Sequence, residues 1–346
     1  AVVDVHLTAI SFNKQFFRIG HIATLVPTRP VTTGICARLQ AWRQLINKRG
    51  CHGRGAAHKK RKALRGDAFM TLSQFLQKYP ALTGPIAILL AEDAVALDHT
   101  IAHFRKIGFP NIVVIGAAPT EMPEGVFHVA EDVFTPDQAL TKANRIIAAR
   151  PDVWVYVGYN AEYLFYPFCE TRSITDALTF MSEERRAHVF CYGLDLYAGD
   201  CRANPDGVDT LSPMMDAVGY YGADRIEDGE TLVRQPEVYG GLRWRFEEHI
   251  PFDRRRIERI ALFKTRKGLQ LDTDFRLNDP EMNSISCPWH HNMTMAVMSF
   301  RVAKALRHNP GSAEVVDDFC WSGSEPFSWS SRQLLEMGFI EPGQWF

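Results

Sequence analysis

No window of the 346 residues approaches the roughly 18 uninterrupted apolar residues that a membrane-spanning helix needs. The first residues also lack a basic stretch leading into an apolar one, so a secretory signal is not expected. The turn after the first patterned strand, "LLAEDAVAL", holds no glycine. That excludes the Gly-x-Gly-x-x-Gly turn of dinucleotide-binding folds and, for the same reason, a P-loop: both use glycine to bring backbone N–H groups up to phosphates. A Gly-x-Ser-x-Gly nucleophile elbow is missing too, and the Ser-rich "WSGSEPFSWSS" has no strand–helix pattern around it. Cysteine is sparse and odd in number, seven scattered residues. A chain this long can bury a core without staples, so the cysteines fit a reducing cytoplasm better than a disulfide framework.

What remains is a globular composition, 46% apolar and 23% charged. The formal net charge of −1 hides an asymmetry: residues 1–69 carry 13 Lys/Arg against 2 Asp/Glu, leaving 26 basic and 38 acidic residues in the rest. Residues 48–65, "KRGCHGRGAAHKKRKALR", are basic and poor in apolar side chains, the composition of an unpacked segment. The run "HKKRK" (58–62) is a candidate for touching anionic surfaces; a solvated tail is the more common outcome for such a run. Because sustained periodicity begins only at Met70, residues 1–69 are expected to be a disordered or non-native extension.

After Met70 the pattern is that of an α/β protein. "PIAILLAED" (85–93), "NIVVIGA" (111–117), "GVFHVAED" (125–132) and "VWVYVGY" (153–159) predict buried strands. Between them, Leu97, Ile101 and Phe104 share a helical face, and Thr135, Pro136 and Gln138 predict a capped helix start. This order implies a mostly parallel sheet with helices on both faces. Further along, residues 187–197 predict a strand, 198–240 a long loop, "RIERIALFK" and "GLQLDTDFRL" strands of a smaller sheet, and 292–309 a helix. In open α/β sheets ligands bind beyond the carboxyl ends of the strands. Residues 91–93 ("AED") and 158–163 ("GYNAEY") therefore mark the expected site edge.

These strings, with "HFRKIGFPNIVVIG", "WVYVGYNAEYLFYP" and "CETRSITDAL" and the later "YGGLRWRF", "IERIALFK" and "CPWHH", resemble the family-2-like glycosyltransferases of bacterial polysaccharide pathways. The resemblance implies a GT-A-like three-layer αβα sandwich, with residues 70–200 as the nucleotide-sugar half and 201–346 as the acceptor-side half. It also implies a nucleotide-sugar donor, a glycan or other surface-polysaccharide acceptor, and a Mn²⁺ or Mg²⁺ ion held by an Asp-x-Asp after the fourth strand. Laying the family's "DADEFLVYP" on "YNAEYLFYP" keeps Glu162, Leu164, Tyr166 and Pro167 but puts Tyr159 and Ala161 where the metal carboxylates belong. Gly116 stands where an Asp near the nucleoside is common, while Glu92 matches the family's Glu after the first strand. A catalytically inactive binding protein of the same fold is the alternative that a lost metal pair predicts.

The departing diphosphate gains charge that a metal or cationic clamp must stabilise. Tyr and Ala are not hard oxygen ligands for Mg²⁺ or Mn²⁺. Metal candidates elsewhere are Asp272 and Asp274 of "DTD" and His290 of "CPWHHN", with Cys287 and His291 beside it. Alternation puts the two Asp on a face that is usually solvent. Clamp candidates are Arg243 and Arg245 of "RWR", expected on one face of a strand, and Lys264 of "KTRK". Glu92, Tyr159 and Asn160 are expected against the donor. Glu162, Asp195 and Asp253 are candidate carboxylates for deprotonating an acceptor hydroxyl.

Overall fold

The computed structural model describes residues 70–285 and 292–345. The basic run 58–62 and the remainder of the expected 1–69 extension, with Cys287, His290 and His291, lie outside the described residues.

The apolar runs form strands β1 (Ile86–Ala91), β2 (Asn111–Gly116), β3 (Val126–Val129) and β4 (Trp154–Tyr159). β1 pairs in parallel with β2 and β4, and β2 with β3. β1 and β4 are buried along their full lengths, which is why they read as continuous hydrophobic runs rather than alternating ones. The intervening helices are α1 (Leu72–Lys78), α2 (Leu97–Lys106), α3 (Pro136–Ala149) and α4 (Ile174–Glu183). Thr135 caps α3 by accepting from Gln138 N at 3.4 Å, with Pro136 at the first turn. Ser173 and Asp176 form a full capping box on α4.

The second half departs from the sequence expectations in five places. "RIERIALFK" gives β10 (Glu258–Lys264), but β10 does not belong to a separate small sheet. It inserts antiparallel between β4 and β6 (His188–Ala198), giving the order β3-β2-β1-β4-β10-β6, extended by β7 (Pro213–Asp216) and β12 (Ser324–Pro326). Residues 292–309 are not one helix: β11 (Met295–Ser299) runs parallel to β6 and antiparallel to β5 (Glu162–Phe165) before helix α6 (Arg301–His308) begins. The stretch 198–240 is not only loop, because β8 (Tyr221–Glu227) and β9 (Glu230–Tyr239) make a hairpin closed by Asp228 and Gly229. Both turn residues have positive φ, the conformation an Asp-Gly hairpin turn requires. "GLQLDTDFRL" is a turn held by a single bridge, Leu271 to Leu277, and "LRWR" is a helical turn, α5 (Leu242–Arg245). The short helices α7 (Pro310–Ala313) and α8 (Ser331–Glu336) follow.

The chain is thus a mixed α/β protein with a mostly parallel central sheet in a three-layer αβα arrangement, as the sequence implied. Its core is built on β1, β2, β4, β6, β10 and β11, all lined by buried aliphatic and aromatic side chains. Among the described residues, no helix is long and apolar enough to cross a membrane.

Candidate functional site

In the strand order the chain leaves β1 towards β2 and leaves β4 in the other direction, towards β5, so the gap between their carboxyl ends is a topological switch point where an open sheet accepts a ligand. Glu92 and Asp93 follow β1; Asn160, Ala161 and Glu162 follow β4. Asn160 stitches the two ends. Its Oδ1 accepts from Glu92 N at 3.0 Å, and its Nδ2 donates to Asp93 Oδ1 at 2.7 Å and Val95 O at 3.0 Å. Ala161 takes a left-handed backbone (φ 60°), held by Thr100 Oγ1 accepting from its N–H and by Phe300 N donating to its carbonyl. This kink swings the chain out of β4 and into β5.

Glu162 opens β5 and is buried, with four donors on its two oxygens. Arg259 of β10 donates from Nη1 at 3.1 Å and Nη2 at 2.8 Å, Ser299 Oγ at 3.1 Å, and Tyr159 N at 2.8 Å. Burial works to raise this carboxyl. The Arg259 charge and hydrogen bonds, with the Tyr159 N–H, outweigh it and hold Glu162 below the ordinary carboxylate range. A carboxylate so engaged ties β4, β10 and β11 together and has no lone pair directed at a reacting proton.

Helix α6 supplies what the sequence reading missed. Arg301 Nη2 and Nε donate to Glu92 at 2.6 and 3.1 Å, and its guanidinium lies 3.6 Å from the Tyr159 ring centroid, a cation–π contact. One turn later Lys304 donates to Asp93, 2.9 Å to Oδ1 and 2.7 Å to Oδ2. Burial would raise the Asp93 carboxyl, but Lys304 and the neighbouring N–H donors lower it. The i, i+3 spacing of these two cations was a legible signal.

Around these pairs opens a cavity of about 480 Å³ lined by five arginines and one lysine: Arg243, Arg254, Arg256, Arg259, Arg301 and Lys304. Glu92, Asp93, Glu162, Asp253, Glu258 and Asp274 line it as well, so its charge is nearly balanced. Arg256 bonds Asp274 at 2.9 Å, and Arg254 lies 3.5 Å from Asp274 and 3.4 Å from Asp253. Burial pushes the Glu258 carboxyl up to about 7, although Val238 N and Arg276 donate to its oxygens at 2.9 and 2.8 Å.

The structure gathers part of the expected site. Glu92, Glu162, Arg243, Asp253 and Asp274 line this cavity, and Tyr159 and Asn160 lie directly behind it. Asp195 is buried beyond Arg243, which approaches to 3.5 Å; burial and the nearby Asp216 raise it to about 6, against the pull of Arg243. Arg245 points elsewhere, donating to Asp216 at 2.8 Å and to the Phe319 carbonyl. Lys264 ends β10 at the opposite edge of the sheet, 2.9 Å from Asp152. Asp272 closes its own turn by accepting from Asp274 N and Arg276 N, both at 2.9 Å. His290 lies outside the described residues. Among the described residues no three His, Cys, Asp or Glu side chains converge as a metal's ligand set.

No protein-family model and no curated protein matches this chain. Among solved structures, it is similar to 2-C-methyl-D-erythritol 4-phosphate cytidylyltransferase (IspD) of Francisella tularensis, with 10% identity and a TM-score of 0.26 over 54% of this chain and 74% of that one.

Proposed function

We propose that this is a glycosyltransferase-like protein whose carboxyl-edge cavity takes a nucleotide-sugar, with arginine and lysine in place of a metal as the diphosphate's counter-charge. The observation that carries this reading is Arg301 in a cavity at the β1/β4 switch point: five arginines and one lysine line it against six carboxylates, and a diphosphate gains its counter-charge by taking Arg301 over from Glu92. Guanidinium groups grip phosphate oxygens in pairs, and a leaving diphosphate needs such stabilisation as its charge grows. Arg301 is the central group: it sits on Tyr159, its side chain is 35% exposed, and its present partner Glu92 is itself 25% exposed and able to release it. Asp253, with 67% of its side chain exposed at the cavity rim, is the carboxylate open to an acceptor hydroxyl. The acceptor is a glycan, and the setting a reducing cytoplasm.

A second reading, a protein that binds the same ligand without transferring sugar, draws support from Glu162. The one carboxylate retained at the β4 end is saturated by four donors and free for neither metal nor proton.

Calorimetric titration of UDP- and GDP-sugars into the full chain, with and without Mn²⁺, tests both. Binding that is indifferent to Mn²⁺ and at least tenfold weaker in Arg301→Gln is expected. Failure of both donor classes to bind rejects the proposal. Binding without release of sugar to acceptor or water, and with Asp253→Asn unchanged, leaves the second reading.

A further inference from the structure

Beside the cavity stands a row of aromatic rings that the donor site does not use. Trp244 of α5 meets Tyr221 of β8 edge-on at 4.9 Å between ring centroids; Tyr221 stacks on Tyr239 of β9 at 5.2 Å; Tyr239 contacts Phe252 at 6.3 Å. Of the inner pair Tyr221 is part-covered and Tyr239 is buried, while the two ends are open, Trp244 at 40% exposure and Phe252 at 69%. Exposed rings are costly to leave in water, and exposed rings held at fixed spacing by packed ones mark a binding surface rather than scattered surface residues. The row reaches the cavity itself: His249, Ile250, Pro251, Asp253 and Arg254, the neighbours of Phe252 in the chain, all line it.

The polar groups around the rings narrow the choice of occupant. Glu247 and Arg255 pair with each other at 2.7 Å, and Glu237 pairs with Arg256 at 3.1 Å while accepting from the Tyr239 hydroxyl at 2.8 Å. The border is therefore rich in donors and acceptors yet balanced in charge. That suits a ligand with flat apolar faces and many uncharged hydroxyls. It does not suit a polyanion, which needs an excess of cations along its path.

We propose that Trp244, Tyr221 and Phe252, joined through the buried Tyr239 ring, form an oligosaccharide-binding platform that leads a neutral glycan chain to the cavity mouth at Asp253. This rests on the transfer reading above and names the class of its acceptor: an uncharged oligosaccharide of several units, held by ring stacking and directed along the row. Hydroxyls at the chain's end would meet Asp253, next in sequence to Phe252.

The test uses the full chain, with maltohexaose, cellohexaose and chitohexaose as probes followed by tryptophan fluorescence and calorimetry. The double variant W244A/F252A serves as the control, since both side chains are exposed at the surface. At least one hexasaccharide should bind, and the double variant should lose tenfold or more of that affinity while its nucleotide-sugar titration is unchanged. No binding of any of the three, or binding indifferent to the double variant, overturns the platform. So does binding of oligo-uridine that the double variant abolishes, which would assign the row to nucleobases. Hexasaccharide binding without nucleotide-sugar binding keeps the platform and rejects the transfer reading, so the two failures are distinguishable.

Discussion

Arg259 and Glu162 form a two-bond ion pair, 3.1 and 2.8 Å, between the strand that enters the sheet late in the chain and the residue that follows the β4 kink. Both side chains are sheltered, at 10% and 1% exposure. A buried charge left without its partner costs about 3–5 kcal/mol. Arg259→Leu should therefore lower unfolding free energy by about that amount, read from urea denaturation. Glu162→Gln, which keeps a hydrogen-bonding group, should cost less than Arg259→Leu.

The same pair sets an acid limit. Glu162 has a folded-state pKa below its unfolded value, so its contribution is present above the ordinary carboxylate pKa and is lost as pH falls through the folded value. Denaturation midpoints measured from pH 5 downward should fall less steeply in Glu162→Gln than in the parent. An identical slope would mean that other carboxylates carry the acid sensitivity.

Two histidines act in a higher window. Burial pushes His103 down to about 4, with Nε2 2.7 Å from the Leu164 carbonyl, and His188 down to about 4, 3.1 Å from the Ser284 carbonyl. Both are neutral in the fold but take up protons near 6.5 when unfolded. The unfolded chain therefore binds more protons between pH 6.5 and 4, and stability should fall as pH drops through that range, by up to two protons' worth of slope. His103→Gln should remove about half of that slope, measured by denaturation at pH 4, 5, 6 and 7.

Arg301 separates binding from stability. The Glu92–Arg301 pair is part-exposed, so breaking it should cost no more than about 1 kcal/mol in unfolding. The loss expected in nucleotide-sugar affinity is tenfold or more. Parallel losses in melting temperature and affinity would make Arg301 a structural residue only.

Gly116 sits at the β2 end with φ at 114°, and a Cβ there would lie 2.3 Å from the Ala91 carbonyl oxygen. Gly116→Ala should destabilise by about 1–3 kcal/mol through backbone strain. It should also weaken donor binding, because Ala91 immediately precedes Glu92.

The parallel half of the sheet was legible because its strands are short, almost wholly buried runs bounded by turn residues; α3 carries an apolar face behind its Thr135 cap, and α2 an apolar face without a side-chain cap. The expected site edge followed from that topology, and Glu92, Asn160 and Glu162 do lie together at the carboxyl ends of β1 and β4. The β11–α6 boundary was not legible. Met295–Ser299 is buried throughout, so it shows no two-residue alternation, and no Gly or Pro separates it from Arg301. Residues 292–309 therefore read as one helix, and neither Arg301 nor Lys304 stood among the expected site residues. "RWR" misled in the opposite direction: three residues fit a strand's period as well as a helical turn, and only the Gly241 backbone and the contacts of Arg245 decide. The Asp228–Gly229 hairpin turn was available in the sequence and marks the hairpin that carries Tyr221 and Tyr239.

The antiparallel insertion of β10 has a consequence for how the chain is made. β4 ends at Tyr159 and β6 at Ala198, yet the strand that joins them begins only at Glu258, and the partner of β5 only at Met295. During synthesis the flanks of β4 and β6 stay unpaired while about 60 further residues leave the ribosome. Such long sequence separations slow folding, and open strand edges recruit other chains. A fragment ending near residue 200 would lack the middle of its own sheet. The nascent protein should therefore depend on holding chaperones until β10 closes the gap.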